Sequence, residues 1–507
     1  MKFRLFMQEQ FKILVVLLIP STLAFILQVT AIGNYGLSQD EVLKALATQR
    51  YIRLDFTENA QHPALSKLLM TFSVLLFGET EFALRLPNTF IGALTVYPIF
   101  FLGKELYNDK TGFIACVLWA VHIPAISFTT TAKEDALVTF FWIWAFYFFI
   151  KAKNDPRQLR FTGMCVGLAL SSKYSALILV GILFGLYFFK RYEGIELPSL
   201  KETSFLSIPP AVLTFLIFNF PILLPATIAN VLDHYVPSTP AHTGYFMMGE
   251  LFSIRPPYYL LLHILVKTPL SFLSLLLVGI LFAIKDRLLS DKILLFWIIL
   301  PLGFFSVTTY GYVRYYLVII PAFTILAAKG LLQFSIRLID QIKRIKEENR
   351  PRISITITVL ICLLVCLHSL SVAVEVHPYY RMYVNELGGG LNKAGHYFPH
   401  DSVYDYLLRE AIQYVSERAQ QNSTVAMSVP LVGEYYGRKD LNFVYIRDLP
   451  ENVSQWTTLS ISYAIVQPSR TVFENQQHFD NIRDNLNVEE EYEIFQEVVA
   501  QVFRIPS

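Results

Sequence analysis

The sequence predicts a polytopic α-helical membrane protein with an α/β domain at its C-terminal end. Three observations predict it. The 507 residues are 54% hydrophobic and only 16% charged, and mean hydropathy is +0.45, too apolar to coat a soluble core of this size. Apolar runs near the ~20 residues that cross ~30 Å of hydrocarbon recur from residue 13 to 374. From about His377 onward the composition becomes ordinary. These totals exclude a cytosolic enzyme, a disordered chain and a small disulfide scaffold. A net charge of +2 argues against nucleic acid as a partner. Cys116, Cys165, Cys362 and Cys366 all lie in apolar stretches and read as small core hydrophobes, with no zinc-ligand set around them.

The elements follow in order. Ile13–Thr30, preceded by Lys2, Arg4 and Lys12, reads as an uncleaved anchor. Further runs are Phe82–Leu102, Thr111–Phe128, Ala136–Ile150, Phe161–Phe189, Phe205–Leu224, Tyr258–Ile284, Ile293–Thr308, Tyr316–Phe334 and Ile353–Val374. Ala64–Phe77 is short and holds Lys67, so it is expected to lie at the interface with that lysine snorkelling. Phe161–Phe189 is too long for one upright crossing and has Lys173 at its middle. A mid-bilayer lysine is costly, so two short helices meeting at Lys173 are expected. That makes eleven transmembrane helices.

Alternate loops then divide by charge. One set carries Lys104 and Lys110, then Lys151 to Arg160, Lys190 to Lys201, Lys285 to Lys292, and Arg337 to Arg352. Basic loops face the cytoplasm, together with the N-terminus. The opposite loops, including 31–63, 129–135, 171–174, 225–257 and 309–315, face outward. The expected layout is a membrane domain, 1–376, with outer loop 31–63, and a soluble extracytoplasmic α/β domain, 377–507. In the latter, Ala411–Arg418 reads as an amphipathic helix, and Val425–Val429 and Ala464–Gln467 as strands.

Polar residues gather in the outer loops at helix ends. Ser38-Gln39-Asp40-Glu41 fits an S-x-x-E capping box, which competes with an acid acting as general base at a low-dielectric edge. Thr131 and Glu134 fit a second box, beside Lys133 and Asp135. Arg85 by itself reads as an interface anchor. Lys173 needs an anionic partner, for which a lipid phosphate would serve. His242 to Glu250, Lys267 and the Tyr310 to Tyr316 run with Arg314 complete the set. Several cations and at least three acids beside hydrocarbon suit a substrate with a lipid tail and a phosphate. No P-loop, dinucleotide fingerprint or nucleophile elbow is present.

In order and spacing, these elements resemble the GT-C glycosyltransferases that use polyprenyl-phosphate sugars, in the branch of protein O-mannosyltransferases and lipid A aminoarabinose transferases. The resemblance rests on Asp40-Glu41, His62-Pro63, Arg85-Leu86-Pro87, Asp135, Gly167 to Tyr174, His242 to Glu250, Lys267-Thr268-Pro269, Arg314-Tyr315 and His377 to Gly389. It departs where Ala64 follows Pro63, and where Thr131 and Lys133 stand in a region that often holds arginine. The resemblance implies Asp40 as the catalytic acid residue, assisted by Glu41, with Asp135 lining the same cavity. It implies that Lys173, with His62 or Arg85, holds the donor phosphate, and Arg314 joins them. His242, Tyr245, Lys267 and Tyr315 are the substrate-binding candidates. A divalent metal is one alternative, with Asp40, Glu41, Asp135 and His242 as candidate ligands.

The expected activity is inverting transfer of one sugar, a mannose-like hexose or an aminopentose. It would go from a polyprenyl phosphate to a hydroxyl of a protein, lipid or glycan on the outer face of the plasma membrane. The rivals are a lipid-linked sugar flippase or transporter and a non-catalytic assembly subunit.

Overall fold

At 1.5 Å of rise per residue, a helix needs roughly 20 residues to cross a bilayer. The computed structural model describes residues 2–235, 245–307, 312–342, 346–470 and 476–506. Among them, seven helices are long and apolar enough to cross: Lys12–Val29, Glu81–Leu106, Tyr174–Tyr192, Leu200–Phe218, Leu289–Val307, Val313–Gln341 and Glu347–Val376. An eighth is the pair Asp109–Ala120 and Ile123–Thr129, bent by 63°. Pro124 explains the bend, since it lacks the N–H that would continue the ladder. The chain is a multi-pass helical membrane protein.

The sequence predicts eleven crossings, and the difference lies in three shorter helices. Asp135–Lys151 has 17 residues and Gln158–Ser172 has 15. The expected Tyr258–Ile284 helix is divided at Thr268-Pro269 into Tyr259–Lys267 and Leu270–Asp286. Between Ser172 and Tyr174 the chain breaks at Lys173, whose backbone is extended. Gly163 and Gly167 let Gln158–Ser172 lie directly on Leu200–Phe218. A Cβ at either position would collide with Ser207, Ala211 or Thr214 of that helix.

Leu65–Phe77 is a short apolar helix with Phe72, Leu75, Leu76 and Phe77 exposed. Its Lys67 does not snorkel. The side chain is fully buried, and its ammonium donates to the carbonyls of Asn59 at 2.6 Å and His62 at 2.9 Å. The lysine turns inward because the loop before the helix presents carbonyls that need a donor.

The C-terminal domain holds a five-stranded mixed sheet. Its order is Asn442–Tyr445, Thr424–Met427, Ile461–Val466, Glu497–Arg504 and Val488–Ile494. The first three strands run parallel and the last two form an antiparallel hairpin. Alternation divides the strands between two cores. Val425 and Met427 pack on Leu408, Ile412 and Val415 of helix Leu408–Arg418, whereas Ala426 faces Trp456, Phe479 and Ile482. The first of these cores also contains Leu37, Val42, Met70 and Val74. The sheet domain therefore shares one hydrophobic cluster with helices Gln39–Ile52 and Leu65–Phe77 of the membrane part.

Candidate active site

Asp40 and Glu41 open helix Gln39–Ile52. Neighbours on a helix point about 100° apart, so the two carboxylates diverge. Glu41 turns inward and is 1% exposed. It accepts from Arg85 Nε and Nη2, both at 2.8 Å, from Ala132 N at 2.8 Å and from Ser38 N at 3.1 Å. Burial works to raise its pKa, but Arg85 and these hydrogen bonds bring it down to about 2. The rest of the Arg85 guanidinium donates to the carbonyls of Ile32, Tyr35 and Gly36 at 2.8–2.9 Å. All five of its N–H donors are engaged within the protein. Arg85 thus has no donor to offer a phosphate; it fixes the loop after the first membrane helix around Glu41.

Asp40 points the other way, into a charged cluster. Its Oδ2 accepts from Lys133 Nζ and from the Tyr404 hydroxyl at 2.6 Å, with Arg314 Nη2 at 3.8 Å. The side chain is 36% exposed. Burial works to raise its pKa, but Lys133, Arg314 and the hydrogen bonds from Lys133 and Tyr404 hold it well below the usual carboxylate range. Asp135 begins helix Asp135–Lys151 and accepts from Lys173 Nζ at 2.8 Å. Its other oxygen lies 3.5 Å from Arg314 Nε. Arg314 therefore joins two acids that are 95 positions apart in the chain. Lys173 also sits 4.0 Å from the ring centre of Tyr315. Three cations (Lys133, Lys173 and Arg314) face two carboxylates, which leaves one positive charge uncompensated.

The structure thus gathers Asp40, Asp135, Lys173, Arg314 and Tyr315. His62 stands beside that group, 3.9 Å from Glu134, whose carboxylate pairs with Lys44. The Lys44 cation, with burial, lowers the His62 pKa and keeps the imidazole neutral. Glu134 serves that pair rather than a capping box with Thr131, whose hydroxyl donates to the Phe128 carbonyl. Lys267 is spent elsewhere. Buried, it donates to the Arg381 carbonyl at 2.9 Å and to Ser402 Oγ at 2.7 Å. Tyr245 packs edge-on against Tyr259, which donates to Asp401 at 3.1 Å. His242, Tyr310 and Gly311 lie outside the described residues.

Residues 61–224 match the family model described as dolichyl-phosphate-mannose-protein mannosyltransferase. That stretch, about a third of the chain, is similar to this family. Nearly the whole chain superposes on solved membrane-protein structures. ArnT from Cupriavidus metallidurans in the apo state aligns over 98% of both chains with TM-score 0.56 and 12% identity. The same protein bound to undecaprenyl phosphate aligns over 97% of this chain and 98% of its own, with TM-score 0.54 and 12% identity. AglB from Archaeoglobus fulgidus, in complex with an inhibitory peptide and a dolichol-phosphate, aligns over 97% of this chain and 74% of its own, with TM-score 0.57 and 12% identity. At such identity the likeness is one of fold. No curated protein matches the sequence.

The C-terminal domain supplies members of this cluster that sequence reasoning missed. Tyr404 reaches Asp40, and Arg381 donates to Thr131 Oγ at 3.0 Å. Arg470 binds Asp405 through paired 2.7 Å contacts, and Asp405 in turn accepts from Gln39 N at 2.9 Å. Tyr404 (φ 31°), Asp405 (φ 63°) and Leu407 (φ 58°) all occupy the left-handed region, at roughly 1–2 kcal/mol each for residues with a Cβ. Lys133 was within reach of sequence reasoning, because it is a cation at a membrane edge between two acidic clusters, like Lys173.

The described residues do not fit a metal, and the candidate ligand His242 lies outside them. Among the described residues no group of three or more His, Cys, Asp or Glu side chains converges. Asp40 and Asp135 meet only through Arg314, and Glu41 is closed by Arg85.

Proposed function

We propose that this glycosyltransferase moves a single sugar, a mannose-like hexose or an aminopentose, from a polyprenyl phosphate to an acceptor hydroxyl on the extracytoplasmic face, with inversion. One observation carries the reading. Arg314 bridges Asp40 and Asp135 beside Lys173, so a base and a pair of cations adjoin. In this reaction Asp40 accepts the proton as the acceptor oxygen bonds to the anomeric carbon. The bond from that carbon to the phosphate oxygen breaks from the opposite side. The electron pair goes to the phosphate, where Lys173 and Arg314 stabilise the developing charge. Asp40 is a weak base while its cations serve it alone. A bound phosphate competes for Arg314, which relaxes the hold on Asp40 and makes it more basic.

The layout that suits this activity adds Asp135–Lys151, Gln158–Ser172 and Leu270–Asp286 to the eight long passes, giving eleven. The membrane domain then runs 1–376, with catalytic outer loop 31–63. The α/β domain, 377–507, is extracytoplasmic on the same side as Asp40. The bound lipids of the ArnT and AglB structures support a polyprenyl phosphate as donor.

The test incubates purified protein with radiolabelled polyprenyl-phosphate sugars and separate protein, lipid and glycan acceptors. Label on an acceptor hydroxyl with inverted anomeric configuration is expected. Label that crosses a vesicle bilayer without reaching any acceptor would overturn the reading.

A further inference from the structure

A second cationic site lies at the other end of the helix bundle. A groove of about 830 Å³ is lined by Lys104, Asp109, Lys110, Asp340 and Arg350 at its mouth. It adjoins a second hollow of about 460 Å³ that adds Lys12, and the two share Asp109, Lys110, Leu332, Ile355 and Thr358. Deeper in, the walls are Leu17, Phe100 and Phe113. Four cations meet two acids. Lys104 pairs with Asp109 at 2.9 Å and Arg350 approaches Asp340 at 3.8 Å. Among residues 12 onward whose side chains are described, no acid lies within ion-pair distance of Lys12 or Lys110. The N-terminal ends of helices Asp109–Ala120 and Arg350–Val376 lie along the same groove, adding their positive dipole ends.

Depth separates this place from Asp40. Helix Lys12–Val29 starts at the groove and ends just before Ile32 and Tyr35, whose carbonyls hold Arg85. Helix Ile320–Gln341 starts six residues after Arg314 and ends one residue past Asp340. Its 22 residues span about 33 Å, so the groove and the Asp40 cluster are about one hydrocarbon thickness apart.

We infer that this groove is a binding site for an anionic glycerophospholipid of the bilayer. An apolar hollow opening to the membrane is filled by acyl chain, because an empty one forfeits dispersion contacts along its walls. Uncompensated lysines at headgroup depth then select a negative phosphodiester headgroup over a zwitterionic one. Each such lysine is worth about 1 kcal/mol near an anionic surface, or about fivefold in occupancy. The inference stands apart from the transfer reaction and holds whatever sugar is moved.

Native mass spectrometry of the full-length protein with equal phosphatidylglycerol and phosphatidylcholine tests it. Preferential retention of phosphatidylglycerol is expected. In the Lys12→Gln/Lys110→Gln variant that preference falls by on the order of twentyfold, while thermal unfolding, sugar transfer and donor KM stay those of wild type. Equal retention of the two lipids would overturn the inference, as would a double variant with unchanged preference. A raised donor KM in that variant would overturn it too, by making the groove part of the donor's path.

Discussion

Tyr404 donates its phenolic hydrogen to Asp40 Oδ2 at 2.6 Å, across 364 positions of sequence. Burial, with Asp40 adding, raises the phenol's pKa, so it stays protonated and remains a donor. This bond helps to lower the Asp40 pKa. Tyr404→Phe should therefore raise it, moving the acid limb of the pH–rate profile upward. A profile superimposable on wild type would show the contact to be idle.

Asp40→Asn keeps the shape of the side chain but removes the proton acceptor. Transfer should drop by ~10²–10⁴-fold, with an unchanged gel-filtration profile and circular dichroism spectrum. Single-turnover assays with saturating donor measure it. Wild-type turnover in this variant would dismiss Asp40 as the base.

Lys133 gives the basic limb. Burial lowers its pKa from 10.5 to about 8 against the opposing pull of Asp40. Activity should decline as pH rises through about 8, because the cluster then loses a cation. Stability runs the other way. Between about 8 and 10.5 the unfolded chain holds a proton that the folded one has released, so stability rises with pH there. Lys133→Arg should carry the activity limb to higher pH. The paired readouts are initial rate and thermal midpoint across pH 7–10.

Glu41 and Arg85 should answer in stability. The folded Glu41 pKa near 2 lies below its unfolded value of 4.5. Its contribution is therefore fully present above pH 4.5 and is lost as pH falls toward 2. Arg85→Ala leaves a buried carboxylate unpaired, at a cost of about 3–5 kcal/mol. Thermal melts should show that loss, with donor KM unchanged in the folded fraction. A raised donor KM with an unshifted melt would return Arg85 to the phosphate.

What sequence reasoning reached was set by the strength of local physics. The helix break at Lys173 was legible because a lysine amid apolar residues has few affordable positions. Asp40, Asp135, Lys173 and Arg314 were legible as polar groups at the ends of apolar runs, although nothing local says that Arg314 joins both acids. Arg85, read with His62 as an alternative holder of the phosphate, spends its five donors on three backbone carbonyls and Glu41, and carbonyl positions leave no trace in composition. The snorkelling expected of Lys67 failed for the same reason. Tyr404, Arg381 and Arg470 were out of reach, since they lie in irregular loops of the sheet domain with no periodicity to place them. The shorter helices blurred the count of crossings, because proline and lysine interrupt runs that look continuous by hydropathy.

The cluster that joins Leu37, Val42, Met70 and Val74 to Val425, Met427 and Ile465 has a practical consequence. Severing the chain near His377 would strip a greasy surface bare on both fragments and remove the tyrosine and arginine that seat Asp40 and Gln39. Neither half would be a working unit, and a chimaera exchanging tails between homologues would have to carry the matching outer-loop helices with it.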